Sequence, residues 1–555
     1  VFVSASVLFG QGMAQLGGRV TDPSGAVLPA ASVTVTNTDT GVTWETTTTA
    51  EGYYVVPALP PGSYSVTVRS PGFRTVIRSG LVLETGIKKT VDVELPLGSV
   101  TESVTVTAET PLLEMASASQ GQLIDRQDIA NMPLNDRTAA QLIRLAGAVI
   151  FNIAKGGEYY SVAGGRMANQ NWRLDGTSAN RSTIYNPVIS ANPPAESLQE
   201  FKVELNSYSA EYGRSGGGEI MLTTRSGTNQ FHGSAYEFLR NAALDTRTFF
   251  AANRGNLRYN IFGASVGGPI IKNRTFFFFN YQGSRQRNTS TKSATVPNPP
   301  EVTGDFSNRT DLKVIDPLTG KQFPGNVIPA NRLDPVGAQV AKLYPAPNYG
   351  VRDIHVEPGA NFITTLSLPN DSDTYIAKID HTFSSKDRAF VRAMYRGNLS
   401  SEPPLFPSLF PNGNETWLLD TSAGLVHQFT PTLLDQFHYG YAYRFGDKFT
   451  GGVDSGLDVK IGLKGTRPEM FSLFQIPGLQ SLGESERKLQ RDVTHNVINS
   501  LTWVRGKHQF KTGFEYRYGL APAAQIATGV FTFDDRVTGS GVAELLLGRV
   551  SDAYS

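Results

Sequence analysis

Hydrophobic and polar side chains alternate residue by residue along several long stretches of the chain. From Phe437 to Phe445 every odd position is aromatic, whereas the even positions from Gln436 to Arg444 carry Gln, His, Gly, Ala and Arg. The stretch 509–518 repeats the pattern, with aromatic residues and one Thr on one side and polar or charged residues and one Gly on the other. Because successive side chains of a strand point to opposite faces, these stretches predict β-strands with one aromatic face.

The aromatic face has two possible environments. A soluble sandwich would bury it against a second sheet, whereas a membrane barrel would turn it toward lipid and keep charged residues in a wet interior. The membrane is favoured by strands of about ten residues, by the aromatic density, and by inter-strand segments that are alternately short and long. Short turns are predicted at 272–274, 384–387 and 505–507, and long polar segments from 286 to about 371 and from 447 to about 490.

The N-terminal part has shorter alternating runs. Ala31, Val33 and Val35 share one parity, and similar runs lie at 64–68 and 91–95. Turn-forming sequences rich in Asp, Pro and Gly separate the runs, as at Asp22-Pro23-Ser24-Gly25. Several short strands at this spacing predict a β-sandwich of immunoglobulin-like size.

Composition narrows the class of protein. The chain has 555 residues, 50 Lys plus Arg and 49 Asp plus Glu, so its net charge of +1 argues against nucleic acid as a partner. It contains no cysteine, which excludes disulfides, thiolate metal sites and cysteine nucleophiles. Mean hydropathy is −0.21 and no apolar run reaches the length of a membrane-spanning helix. A membrane β-barrel stays compatible, because alternating strands average to ordinary hydropathy.

The first residues suggest export. Residues 1–9 are apolar or small, and Gly12-Met13-Ala14 precedes Gln15, which is typical of a signal-peptide cleavage site. We expect the mature chain to begin near Gln15. A buried N-terminal strand is the alternative.

Motifs in the sandwich region resemble the carboxypeptidase-regulatory-like domain. They are GRVTDPSG at 18–25, EGYY at 51–54, LPPGSY at 59–64 and PGF at 71–73. No histidine lies between residues 1 and 98 and no metal-ligand cluster is present there. The resemblance therefore implies a prealbumin-like accessory module and not a peptidase.

Three groups of motif residues lie further along the chain. They are Pro133, Asn135 and Arg137, then Leu174, Asp175 and Gly176, then Gly213, Arg214, Gly216, Gly217 and Gly218. These motifs resemble the plug domain of TonB-dependent outer-membrane receptors. Consecutive glycines permit close backbone approach and positive φ, which suits a plug strand that enters a confined lumen. A phosphate-binding loop is disfavoured, since the Gly-Lys-Ser/Thr ending is missing.

A helix is predicted after Pro133, with its N-cap near Asn135 or Asp136. Its apolar face consists of Ala139, Leu142, Ile143 and Ala146.

A short β-prone segment between these regions resembles the TonB box of the same receptors. An exposed extended peptide of this kind can add as a strand to the sheet edge of a partner, here a TonB-type energy-transducing protein. The alternative, a last strand of the N-terminal sandwich, stays open. The segment consists of Glu102, Ser103, Val104, Thr105, Val106, Thr107 and Ala108.

The C-terminal region resembles the barrel of the Oar-like branch of these receptors, on segments 231–240 and 261–281. Barrels of the family have about twenty-two strands around a plug, and about ten spanning candidates lie between 231 and 533. We therefore expect a mainly β chain that carries about half a transmembrane antiparallel barrel, as a fragment truncated at both ends. The predicted units are a signal-peptide remnant at 1–14, the sandwich at 15–98, a linker with the candidate TonB box at 99–124, an α+β plug at 125–229 and the barrel part at 230–555.

No pattern predicts catalysis, a cofactor or a metal site. The seven histidines form no close ligand motif, the serines no nucleophile elbow, and the carboxylates no catalytic pair. Arg388, Arg392 and Arg396 share one strand face. They are predicted to line the lumen, where they meet an anionic solute or pair with plug carboxylates.

The leading hypothesis is a receptor and transporter of the outer membrane, with its sandwich and plug on the periplasmic side. Its partners would be the TonB-type protein, outer-membrane lipid and an extracellular solute, either a glycan, a peptide or a chelated metal. The alternatives are an adhesion or surface-assembly protein on the same barrel, and a soluble carbohydrate-binding protein whose aromatic residues contact glycans.

Overall fold

The computed structural model describes residues 13–554, apart from 100–102, 108–119, 153–158, 167–168, 182–188, 207, 214, 248–254, 351–358, 451, 468, 485 and 507. Residues 1–12 of the leader predicted at 1–14 lie outside the described part, and Ala14, its last residue, begins the first strand. Among the described residues no helix has the length and apolar character that crossing a membrane requires.

The N-terminal unit, which we call the sandwich, consists of two sheets. One has the order β4-β1-β7 with β8 also paired to β1, and the other has the order β3-β2-β5-β6-β9. The parities predicted at 31–35, 64–68 and 91–95 are the buried ones, because their Val, Leu and Tyr side chains fill the space between the sheets. The strands are β1 (Ala14–Thr21), β2 (Ser32–Asn37), β3 (Thr43–Thr47), β4 (Tyr53–Leu59), β5 (Gly62–Arg69), β6 (Thr75–Leu83), β7 (Lys88–Thr90), β8 (Val93–Glu94) and β9 (Ser103–Thr107).

The second unit, which we call the plug, is a five-stranded sheet of order β10-β15-β16-β13-β14 with a β11–β12 hairpin and short helices beside it. Its first strand starts at Gln120, so the plug sheet begins before the boundary at 125 that the sequence predicts. Its elements are β10 (Gln120–Asp125), α1 (Arg126–Asn131), α2 (Ala139–Leu142), β11 (Val149–Asn152), β12 (Tyr159–Val162), β13 (Asn171–Leu174), β14 (Thr177–Ser178), β15 (Leu198–Asn206) and β16 (Glu219–Thr224).

The second plug helix differs from its prediction. The sequence predicts an N-cap at Asn135 or Asp136, whereas the N-cap is Thr138 and the α-helix has only four residues. The Asp136 carboxylate accepts a 3.0 Å hydrogen bond from the Thr138 hydroxyl and so acts within the preceding turn. The predicted apolar face, which is Ala139, Leu142, Ile143 and Ala146, is buried.

The third unit is a ten-stranded antiparallel sheet, which we call the wall. It runs in chain order from β17 to β26, and the short β27 pairs with β25. The strands are β17 (His232–Asn241), β18 (Arg258–Ile271), β19 (Thr275–Ala294), β20 (Phe362–Thr382), β21 (Asp387–Glu402), β22 (Asn412–Thr430), β23 (Leu433–Phe449), β25 (Glu486–Arg505), β26 (His508–Leu520) and β27 (Ala523–Ala527); β24 (Leu473–Gln475) belongs to the loops.

The wall strands are longer than predicted. The nine long strands have 10 to 21 residues, and the ladder between β19 and β20 continues as far as Ala294 opposite Phe362. The loop between them is therefore 295–361 and not 286–371. The sequence does not show this extension, because residues 286–293 of β19 are polar on both faces. Arg287, one of these residues, forms an ion pair with Asp371 across the two strands.

The two faces of the wall have different surroundings. The aromatic positions of β26 are open to the exterior, with Phe510 54% and Tyr516 58% exposed. The opposite face covers the plug, and His438 on that side of β23 is 1% exposed. The aromatic face is therefore turned outward, as expected of a barrel wall in lipid, and is not buried against a second sheet.

The long loops fold together into a layer at one end of the wall, which we call the loop layer. A three-stranded sheet, β24-β28-β29, and a common apolar core order these polar, Pro-rich segments. Its further elements are α3 (Pro299–Val302), α4 (Pro335–Ala341), α5 (Leu457–Lys460), β28 (Val530–Thr532), α6 (Gly541–Leu546) and β29 (Asp552–Tyr554). Its core includes Phe306, Phe323, Tyr344, Phe406, Phe474, Leu482 and Leu546.

Candidate functional site

The predicted Leu174-Asp175-Gly176 motif forms the tight turn between β13 and β14. Asp175 and Gly176 both adopt positive φ, at 47° and 86°, as such a two-residue hairpin requires. The hairpin points from the plug into the wall, where Ser178 donates its backbone N–H to Asn496 Oδ1 at 2.9 Å. The turn therefore places a carboxylate on the inner surface of the barrel wall.

Asp175 is the centre of a buried ionic cluster. Its Oδ2 lies 3.1 Å from Arg392 Nε and its Oδ1 lies 3.6 Å from Lys378 Nζ. Thr224 donates to the same carboxylate through its backbone N–H at 2.9 Å and its hydroxyl at 2.8 Å. Burial alone would raise the pKa of Asp175, but Lys378, Arg392 and the Thr224 bonds hold that pKa below its usual value. The carboxylate is therefore an ionised link between plug and wall.

Arg392 extends the cluster around the wall. Its Nη1 donates to Asp420 Oδ1 on the neighbouring strand at 2.5 Å, and its side chain has no exposed surface. One plug carboxylate and one wall carboxylate thus share a single guanidinium. Bidentate planar donors suit such shared pairing.

A second ionic link lies at the edge strand β26. Arg173, in β13, forms an ion pair with Glu219 of β16 and donates from Nη2 to Glu515 of the wall at 2.8 Å. Arg517 of the wall in turn donates to Asn171 Oδ1 of the plug at 2.9 Å. Burial raises the pKa of Glu219 to about 7, although Arg173 opposes that rise. The link is therefore sensitive to protonation near neutral pH.

Arg137 ties the start of the plug to the first wall strand. It pairs with Glu196, and its guanidinium lies over the Phe238 ring, 4.2 Å from the ring centre. Its side chain is only 2% exposed. Pro133 lies in the loop before it, and Asn135 faces away, toward a lumenal cavity of about 380 Å³.

The glycine-rich segment lies where backbones approach closely. A Cβ on Gly217 would be 2.8 Å from the Asn169 carbonyl oxygen, and one on Gly218, which has φ of 94°, would be 2.9 Å from that of Glu204. Gly216 lies near the Asn169 amide, and Gly213 has open space around it. Arg214 lies outside the described residues. Close approach thus constrains two of the predicted glycines strongly.

The three arginines predicted on one strand face have three different surroundings. Arg392 pairs with the plug carboxylate, as described. Arg388 donates to the Thr43 carbonyl of the sandwich at 2.7 Å, and Arg396 donates to Ser372 Oγ at 3.3 Å. Arg396 lines a cavity of about 470 Å³ between plug and wall, together with Arg444 and Asp136. Of the three, Arg396 lines this cavity, whereas Arg388 lines a separate cavity beside the sandwich.

The segment predicted as a TonB box lies partly within the described residues. Ser103–Thr107 forms β9, which pairs in parallel with β6 at the edge of the sandwich. This is the alternative that the sequence leaves open, a last strand of the N-terminal domain. Glu102 and Ala108 lie outside the described residues. A role in transducer binding stays a prediction.

Sequence reasoning missed Lys378, Asp420 and Glu219. Lys378 and Asp420 occupy even positions of β20 and β22, the parity that faces inward, so a parity count along these strands would have found them. Glu219 directly follows the glycine run at the start of a fully buried strand. Charged residues in a buried strand are rare unless they are paired. Glu219 could therefore have been recognised as one member of an ion pair.

Two known families match the chain. Residues 223–555 match the family described as Outer membrane beta barrel domain, and residues 15–96 match the Carboxypeptidase regulatory-like domain. Among curated proteins, the TonB-dependent transporter Oar of Myxococcus xanthus is 28% identical over 312 residues. That match covers 53% of this chain and 29% of the relative, so the chain matches less than a third of the length of that relative.

Two of the solved structures that match the chain come from different bacteria. The outer membrane transporter YddB from Escherichia coli has a TM-score of 0.43 at 12% identity, covering 75% of this chain and 50% of its own. The siderophore receptor PiuA from Acinetobacter baumannii has a TM-score of 0.34 at 11% identity, covering 76% of this chain and 66% of its own.

Proposed function

Because the chain belongs to the family of outer membrane beta barrel domains, whose location is the outer membrane, we propose that it is a TonB-dependent receptor that imports a large or scarce solute. The observation that supports this proposal most is that the plug, which has a sheet of its own, covers the inner face of the wall. Asp175 of that plug is held between Lys378 and Arg392 of the wall, with all three side chains buried. A pore that is filled by a domain of its own conducts only when that domain moves.

The proposed mechanism is mechanical. A solute binds from outside to the loop layer and the upper plug, and a TonB-type protein of the inner membrane pulls on the segment 102–108. The pull separates the weakest plug contacts first and opens a path along the wall. In this mechanism the chain performs no covalent chemistry on the solute.

The lumenal cavity beside Arg396 is the proposed passage for the solute. Arg444 and Asp136 also line it, so the passage has charged donors and acceptors on both plug and wall. Glycans, peptides and chelated metals all offer groups that hydrogen-bond to such a surface. Uptake measurements distinguish among these solutes.

The test is deletion of 102–108 in the full-length protein. Cells are given a defined mixture of oligosaccharides, peptides and ferric chelates, and depletion of each component is followed by mass spectrometry. We expect wild-type cells to deplete at least one component and the deletion variant to lose that depletion, with equal amounts of heat-modifiable protein in the outer membrane. Depletion that persists in the deletion variant would refute transducer-driven import and favour adhesion or surface assembly.

A further inference from the structure

The sandwich lies directly across the short-turn end of the wall. Its β2–β3 turn accepts hydrogen bonds from Asn229, whose backbone N–H lies 3.0 Å from the Asp39 carbonyl and whose amide lies 2.6 Å from the Thr40 carbonyl. The same side chain contacts Asn273 in the β18–β19 turn at 2.6 Å. The sandwich therefore contacts the wall where the barrel begins.

Further contacts follow the turns around that end. Near the β20–β21 turn, Arg388 donates to the Thr43 carbonyl, and its guanidinium lies 4.5 Å from the centre of the Trp44 ring. At the β22–β23 turn, Thr46 donates to the Pro431 carbonyl at 3.1 Å. Beyond the β25–β26 turn, the Gln15 and Gln509 amides pair at 2.9 Å. The sandwich thus spans the described turns from one side of the wall to the other.

The sandwich also makes an apolar contact with the wall and polar contacts with the plug. Phe276, near the start of β19, is 3% exposed and belongs to the hydrophobic core of the sandwich itself. On the plug side, the Thr85 backbone N–H donates to Glu200 at 2.7 Å, and the Thr85 and Thr223 hydroxyls lie 2.8 Å apart. The sandwich therefore touches the wall and the plug together.

A cavity of about 210 Å³ lies between the three units. It reaches from Trp44 and Ala58 of the sandwich to Asp175 and Lys378, which belong to the central ionic cluster. A solute that passed the cluster would next meet the sandwich. Displacement of the plug hairpin alone would therefore leave the path closed at this end.

The sandwich also holds the segment on which the proposed transducer acts. β9 pairs in parallel with β6 along Thr75–Ser79, and the plug sheet begins only at Gln120. Tension on β9 consequently reaches the sandwich through a β-ladder before it reaches the plug through residues 108–119.

We propose that the sandwich is an inner gate, which closes the periplasmic end of the barrel and is drawn off first when the transducer pulls on β9. This inference rests on the proposed function. The contacts suit the role, because the sandwich holds the wall through hydrogen bonds, a cation–π contact and small apolar contacts such as that of Phe276, whereas buried ion pairs hold the plug. The weaker contacts separate at the lower force, so the two barriers open in sequence.

Cysteine pairs in the full-length protein test the order of these movements, since the chain has no cysteine of its own. Asp39→Cys with Asn229→Cys reports sandwich docking. Ser32→Cys with Arg69→Cys, exposed partners within the sandwich, is the matched control. Ser178→Cys with Asn496→Cys reports plug docking. The rate of oxidant-driven disulfide formation is measured in living cells, with and without an uncoupler of the inner membrane.

We expect the sandwich–wall pair to form its disulfide readily in uncoupled cells and several-fold more slowly in energised cells. Deletion of 102–108 should abolish this difference, and the control pair should not respond. Failure of the sandwich–wall pair to form in uncoupled cells would overturn the docking itself. An energy-sensitive plug pair with an insensitive sandwich pair would overturn the gate alone, whereas insensitivity of both pairs would refute the gate together with the proposed energised function.

Discussion

Asp175 and Arg392 form an ion pair across the boundary between plug and wall, with 3.1 Å between Oδ2 and Nε and side-chain exposures of 3% and 0%. They lie 217 residues apart in the chain. Both side chains are almost fully buried, so water does not solvate their charges. Asp175 therefore depends on Arg392, Lys378 and Thr224, and Arg392 depends on Asp175 and Asp420. A charge that loses its partner in such a site stays buried and uncompensated.

Removal of one partner should therefore destabilise the docked plug. We expect Asp175→Asn to lower the free energy of unfolding by about 3 kcal/mol, because Arg392 and Lys378 would stay buried without the negative charge of Asp175. The double variant with Arg392→Gln should cost less than the sum of the single variants, with a coupling energy of about 1–3 kcal/mol. Denaturant titration in detergent provides the measurement.

The matched control for this pair is Arg285 with Asp373, an ion pair of 2.9 Å whose side chains are 34% and 35% exposed. Exposed pairs contribute less than about 1 kcal/mol. Equal losses in Asp373→Asn and Asp175→Asn would show that burial does not set the energy of the central pair.

Glu219 should make plug stability depend on pH. Burial raises the pKa of Glu219 from 4.5 to about 7, so between these values the folded plug holds a proton that the unfolded chain releases. Its contribution to stability is complete below the lower pKa and is lost as pH rises through the higher one. We expect the unfolding midpoint to fall over this window, and the fall to be smaller in Glu219→Gln. The same pH slope in both proteins would contradict the assignment.

Close backbone approach should make Gly218 intolerant of a side chain. Its φ of 94°, and the 2.9 Å that would separate an added Cβ from the Glu204 carbonyl oxygen, predict that Gly218→Ala loses about 1–3 kcal/mol. Gly213→Ala is the control, since nothing lies within 4 Å of its Cβ position. Thermal unfolding of the two variants compares them, and similar midpoints would argue against the steric explanation.

A charged residue on the outer face of the wall should destabilise the protein by an amount that depends on its depth in the membrane. Val391 and Leu399 share the outward parity of β21 and are 56% and 50% exposed. A tilted strand spans the membrane in about ten residues from the short-turn end, so Val391 lies within that span and Leu399 beyond it. We expect Val391→Arg to cost about 2–4 kcal/mol and Leu399→Arg about 1 kcal/mol or less. The amount of folded protein in the outer membrane and its unfolding energy test this, and equal costs would place the lipid elsewhere.

The motifs were sufficient to identify the family. The resemblance to a carboxypeptidase-regulatory-like domain is confirmed by the match at 15–96. The resemblance to an Oar-like receptor barrel is confirmed by the barrel-family match at 223–555 together with the relative Oar. The mainly β fold with a partial antiparallel barrel is likewise confirmed. The reason is that strand parity and turn chemistry are local, so a few consecutive residues are enough to identify them.

Local pattern failed where long-range pairing decides the structure. The end of β19 is polar on both faces from Gln286 to Ser293, and its ladder with β20 extends the two strands to Ala294 and Phe362. The sequence predicts long polar segments where the loop layer lies, yet distant loops fill one apolar core there. Thr138 takes the place of the predicted caps because Asp136 bonds within the turn.

Strand parity, the short turns, the close approach at two glycines and the positions of the motifs can all be derived from neighbouring residues in the sequence. Which charges meet cannot be derived in this way. Arg388, Arg392 and Arg396 are equivalent by spacing, yet they contact the sandwich, the plug carboxylate and the lumenal cavity respectively. An ion pair depends on distance and burial, and both arise when folding brings together segments that are hundreds of residues apart in the chain.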